Sequence, residues 1–191
     1  MQEIADWVRP ESRVLDLGCG DGSLLGYLRE QKRCHGYGVE ISDDQVAECV
    51  RHGINVIQSN LDAGLRMFAD AMFDTVVLSQ TLQAMHNAEG ILREMARVAR
   101  QGVVSFPNFG HWKHAVSLLA GRMPVTRHIP YQWYDTPNIH LCTLEDFEAL
   151  AAKVGVSITG RALFADGQTV TALPALRATL AVYRFETSSD R

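Results

Sequence analysis

Between Val14 and Ser23 the chain reads VLDLGCGDGS, an apolar run that breaks into three alternating glycines. In an open α/β sheet, ligands sit at the carboxyl ends of the strands, beside the first glycine-rich turn. The backbone must bend sharply there and approach the ligand with no Cβ between them. Many folds share such a turn, so the details around it decide the reading. The glycines are Gly18, Gly20 and Gly22, whereas a dinucleotide fingerprint would need its last glycine where Ser23 stands. Asp16 and Asp21 belong to the turn, with no Lys or Arg nearby. That pair repels a pyrophosphate and attracts a ligand bearing ammonium and sulfonium groups.

The surrounding pattern supports the sheet. Strand-like runs at Arg13–Leu17, His35–Glu40, Ile54–Gln58, Phe73–Leu78 and Val103–Phe106 alternate with helical patterns at Ser23–Glu30, Asp43–Arg51 and Ala88–Arg100. Such alternation predicts a parallel sheet covered on both faces, with right-handed crossovers. Past a further helix at Leu144–Val154, stopped by Gly155, the pattern changes. Val156–Phe164 and Thr179–Phe185 are strands with no helical pattern between them, so they pair antiparallel. The expectation is one Rossmann-like α/β domain over residues 1–191. It has a mostly parallel seven-stranded sheet, an antiparallel edge pair and helices on both faces.

On that frame the second strand ends at Glu40, twenty residues after Gly20, where a carboxylate can accept two hydrogen bonds from neighbouring ribose hydroxyls. The third leads into Ser59-Asn60-Leu61-Asp62, a polar contact for a purine edge and an apolar wall for its face. Asp62 alone fits equally well as an N-cap for a helix at Ala63–Phe68. Acidic turn, ribose carboxylate and purine contacts together describe S-adenosylmethionine, or S-adenosylhomocysteine, better than a phosphorylated nucleotide.

VLDLGCGDG, YGVE, SNLD and FDTVVLSQTL resemble the class I S-adenosylmethionine-dependent methyltransferase fold over about Val14 to Phe106. A narrower resemblance runs over nearly the whole chain. The segments LSQTLQAM (78–85), VSFPNFGHW (104–112), GRMPVT (121–126) and PYQWYDTPNIHLCT (130–143) are similar to the methionine-biosynthesis MetW family. That resemblance implies a role in methionine synthesis alongside homoserine O-acyltransferase. It also implies cofactor-site roles for Asp16, Gly18, Gly20, Glu40, Asn60 and Leu61; Cys19, Ile41 and Ser79 complete the candidate cofactor-binding set. Ser42 stands where a third acid is expected, beyond the ribose carboxylate.

No catalytic group is evident. Ser79-Gln80-Thr81-Leu82 follows the fourth strand in place of the (Asp/Asn/Ser)-Pro-Pro-(Tyr/Phe) signature of amino-group methylators acting on nucleic acids. The net charge of −4 also argues against a general nucleic-acid binder. Residues 106–141 form an insertion with six of the fifteen aromatics, four of the six prolines, and His111, His114, His128 and His140. It reads as a lid with His111 or His140 as base, as a docking surface, or as a small satellite core. His111 and His114 lack an acidic partner, so no metal site is expected. Met67, Met72, Met85, Met95 and Met123 read as core fillers, and Arg93, Arg97 and Arg100 as a solvated helix face. Cys19, Cys34, Cys49 and Cys142 form no CxxC pair, which fits free thiols in a reducing compartment. With neither a leader nor a membrane span visible, the expected setting is cytoplasmic.

Overall fold

A computed structural model describes residues 2–187. The chain runs α1 (Gln2–Trp7), β1 (Arg13–Leu17), α2 (Ser23–Lys32), β2 (His35–Glu40), α3 (Asp43–Arg51) and β3 (Val56–Gln58). A short 3-10 turn at Leu61–Ala63 precedes β4 (Phe73–Ser79), and another at Leu82–Ala84 precedes α4 (Ala88–Val98). There follow β5 (Ala99–Pro107), α5 (Trp112–Leu119), α6 (Leu144–Val154), β6 (Val156–Ala165), β7 (Gln168–Thr169), α7 (Pro174–Arg177) and β8 (Leu180–Thr187).

The sheet has eight strands in the order β3-β2-β1-β4-β5-β8-β6-β7. The first five are parallel, and β8 enters antiparallel between β5 and β6. The eighth strand is the two-residue β7 on the edge, too short to leave a period in the sequence.

Strand alternation sorts the core into two layers. Leu15, Leu17, Val76, Leu78, Val104 and Phe106 face one side with α4 and α6, while Val14, Val77, Val103 and Val182 face α1, α2 and α3 on the other. Phe147 of α6 lies 4.9 Å from Phe106 and 4.7 Å from Tyr183 between ring centroids, which joins the parallel and antiparallel parts in one core.

Several boundaries differ from expectation. Met95, Ala96, Val98 and Ala99 recur at helical spacing, yet the helix stops at Val98 and Ala99 is already extended, opposite Phe73. Sheet pairing there overrides the 3.6 period. Ile54 precedes its strand and is buried against Gly22, the two in close contact. Two short helices were not expected: α1, which supplies Ile4 and Ala5 to the core, and α7, in the loop before β8. Arg97 is no solvated surface group. It pairs with Glu94 and Asp70 and donates to the carbonyls of Phe68 and Leu65, fixing the loop ahead of β4. Met67, Met72 and Met123 are exposed, whereas Met85 and Met95 are core residues.

Candidate functional site

The parallel sheet brings the nine candidate residues to one end. Gly18 follows β1, Ile41 follows β2, Asn60 follows β3, and Ser79 ends β4. The register Asp16↔Gly38, Leu17↔Val39 and Leu17↔Leu78 lines up the ends of β1, β2 and β4.

Gly18, Gly20 and Gly22 have φ of 68°, 54° and 76°, the left-handed region that glycine occupies without strain. Gly18 also lacks space for a side chain, because a Cβ would lie 2.6 Å from Thr81 Oγ1. At Gly20 the nearest atom to such a Cβ is Gln45 Oε1, 3.7 Å away, which leaves the turn open on that side. The amides of Gly18 and Cys19 donate to the Val39 carbonyl at 2.8 and 3.2 Å, tying the bend to β2.

Glu40 fastens the turn as well as facing the site. Its Oε2 accepts from the Gly20 amide at 2.9 Å, and its Oε1 accepts from the Ile41 and Ser42 amides at 2.8 and 3.0 Å. A carboxylate has about four lone-pair positions, so with three amides bound Glu40 still has an open position for a hydroxyl.

The two acids of the turn part company. Asp16 is 3% exposed, and burial together with the charge of Glu40 pushes its carboxyl up to about 7. Asp21 instead accepts from the Ser23 amide and hydroxyl at the start of α2, which holds its carboxyl below the usual range. It is a local helix-end clasp, and Asp16 is the acid that faces inward.

Cys19 offers a ligand backbone, since its thiol fills the notch left by Gly38 and lies 3.8 Å from the Cys49 sulfur. Burial pushes that thiol up. Ile41 is 62% exposed, an apolar side chain just past the end of β2. Asn60 is exposed, and its side chain caps the turn at Leu61–Ala63 by accepting from the Asp62 amide at 2.9 Å. Leu61 is buried in the core. Asp62 is not the N-cap of a helix at Ala63–Phe68, which does not form; it binds His86 through both its amide and its ring. The Ser79 hydroxyl pairs with that of Ser105 at 2.9 Å.

Of the four histidines of residues 106–141, His111 and His114 take structural places. His111 Nδ1 accepts from the Lys113 amide at 3.2 Å as the N-cap of α5, so that nitrogen is not free to act as a base. Burial, His114 and Lys113 hold His111 below its ordinary value. His114 is buried against the Phe109 carbonyl. His140 is exposed, and its contact with the site is through its backbone amide, which donates to the Gln83 carbonyl at 3.0 Å. The aromatics do not form a satellite core. Trp112, Tyr131, Trp133 and Tyr134 are exposed, the last two at 71%, while Phe106 belongs to the main core.

Sequence reasoning assigned no site role to Thr81 or Gln83. Thr81 packs on the glycine turn, and Gln83 sits between the end of β4 and the return of the insertion. The local signal is Gln80 at φ 52°, a tight bend with no glycine to announce it. An open cleft of about 890 Å³ lies at the other end of the strands, lined by Arg9, Asp74 and Gln101 among others, away from these groups. Among the described residues no cluster of His, Cys, Asp or Glu is arranged for a metal, and no helix is long and apolar enough to cross a membrane.

As a whole the site is acceptor-rich and anionic, with glycines that admit a ligand to the backbone. It suits a cation with hydroxyls better than a phosphate.

Residues 1–185 match the family described as methionine biosynthesis protein MetW. The bifunctional methionine biosynthesis protein MetXA/MetW of Rhodopirellula baltica is 36% identical over 169 residues, which are 82% of this chain and 27% of that one. The chain spans between 27% and 32% of the length of the curated relatives it matches. A SAM-dependent methyltransferase from Archaeoglobus fulgidus superposes with a TM-score of 0.73 at 16% identity, over 97% of this chain and 90% of its own. An S-adenosylmethionine-dependent methyltransferase from Mesorhizobium loti gives 0.70 at 19%, over 93% and 91%. At these identities the likeness is one of fold.

Proposed function

The chain belongs to the methionine biosynthesis protein MetW family and has the class I methyltransferase fold; from that premise we propose that it binds S-adenosylmethionine or S-adenosylhomocysteine and acts with homoserine O-acyltransferase in methionine synthesis. The bifunctional relative carries this reading. There a MetW unit shares one polypeptide with a second activity, and the family resemblance makes an acyltransferase the fitting companion.

The site residues support the ligand. Asp16 meets the cationic amino-acid end, the open position on Glu40 takes a ribose hydroxyl, and Ile41 and Asn60 meet the purine face and edge. Leu61 supports that wall from the core. The exposed Trp112, Trp133 and Tyr134 provide the aromatic surface on which an interface is built. Mixing the protein with homoserine O-acyltransferase tests the partnership. Co-elution and an altered acyl-transfer rate support it; separate elution with an unchanged rate removes it.

A second reading, methyl transfer to an unidentified small molecule or protein, is favoured by the intact glycine turn with Glu40 in place. Labelled methyl from S-adenosylmethionine appearing in an extract component would establish it.

A further inference from the structure

One buried polar atom stands out. Gln83 Oε1 is buried and has no hydrogen-bond partner among the described residues. Its identity as oxygen is fixed, because the other end of the amide faces the Gln80 carbonyl at 2.6 Å and must be the donating nitrogen. A buried acceptor without a partner is costly, and native proteins retain few of them. A donor, an N–H or an O–H, would complete it.

Position narrows the donor. Gln83 lies two residues after Thr81, the residue beside Gly18, in the short turn that follows β4. Glu40 and Asn60 lie at the ends of β2 and β3, on the other side of β1. A ligand whose ribose is at Glu40 and whose purine is at Asn60 therefore extends its amino-acid end toward β4. The backbone of the same residue is a latch. The Gln83 carbonyl accepts from the Ile139 and His140 amides at 2.8 and 3.0 Å, and Cys142, two residues on, bridges to Asn108 at the end of β5. The exposed Trp133 and Tyr134 lie six and five residues before Ile139.

We infer that Gln83 is a binding residue for the α-ammonium of the adenosylated amino acid, and that by binding it Gln83 tightens the return of the aromatic insertion over the site. This rests on the reading that the site holds S-adenosylmethionine. It extends that reading by naming the residue through which occupancy reaches the exposed aromatic face.

The test compares wild type with Gln83→Met, near in shape but without the acceptor. Calorimetry would use S-adenosylmethionine, S-adenosylhomocysteine and 5′-methylthioadenosine, the last lacking the amino-acid end. The variant is expected to lose about tenfold or more in affinity for the first two, as a charge-assisted hydrogen bond implies, and to keep its affinity for the third. Hydrogen exchange in the wild type is expected to slow at Ile139 and His140 on adding S-adenosylmethionine. This second measurement decides the matter even if the variant does not fold. Unchanged binding by the variant, equal weakening of all three ligands, or no slowing at those two amides overturns the inference. Wild type that binds no S-adenosylmethionine at all overturns the parent reading as well.

Discussion

Asp16 is the residue on which the chemistry of the site turns. Its carboxyl is raised to about 7 by burial and by Glu40, so the folded protein holds this proton more tightly than the unfolded chain does. The resulting stability is fully present below the ordinary carboxylate range and is lost as pH rises through about 7. Asp16→Asn should therefore raise the melting temperature at pH 8, by about 2–4 °C for each kcal/mol of relieved charge burial. A permanent sulfonium prefers the ionised acid. Affinity for S-adenosylmethionine should accordingly climb between about pH 5.5 and pH 7, a window that stays below the ligand's own amino titration. Titrations at several pH values should show the climb in wild type and a flat, weaker profile in Asp16→Asn. A flat wild-type profile would remove Asp16 from cation binding. At this scale the sequence disclosed types and places: the acid of β1, the glycines, and the carboxylate ending β2. It did not disclose that Asp21 would clasp its own helix or that Glu40 would spend three of its positions on amides. Those outcomes depend on where backbone N–H groups point after folding.

Among the elements, α6 shows how local rules and packing combine. Thr143 and Asp146 form a reciprocal capping box, Gly155 closes the helix at φ 84°, and Phe147 is fully buried between. Thr143→Ala should cost about 1 kcal/mol in urea unfolding. Phe147→Ala should cost about 3–5 kcal/mol, because it vacates space beside Phe106 and Tyr183. Similar losses for the two would mean that the aromatic cluster does not hold α6 to the sheet. The span of α6 was legible to the residue, since its apolar spacing ends at a glycine. The α4–β5 junction was not, because Ala99 satisfies a helix period and a strand alike, and only its pairing with Phe73 decides. The two-residue β7 and the short α7 are too small to carry any period.

For the whole molecule, strand-helix alternation disclosed the parallel sheet and its antiparallel end, while the proposed partnership depends on surfaces that no internal pattern describes. On the proposed partnership, replacing Trp133 and Tyr134 together by Ala should weaken binding to homoserine O-acyltransferase about tenfold or more, while affinity for S-adenosylmethionine measured without the acyltransferase stays the same. Equal affinity of the double variant for the partner would move the contact elsewhere. If occupancy and docking are coupled, the acyltransferase must change cofactor affinity by the same factor as the cofactor changes its own. The most direct measurement is calorimetric titration of the purified chain with S-adenosylmethionine, ATP and NAD in turn. The acid-lined turn should take up S-adenosylmethionine and leave the two phosphorylated nucleotides unbound; tight uptake of ATP or NAD with no heat from S-adenosylmethionine would contradict it.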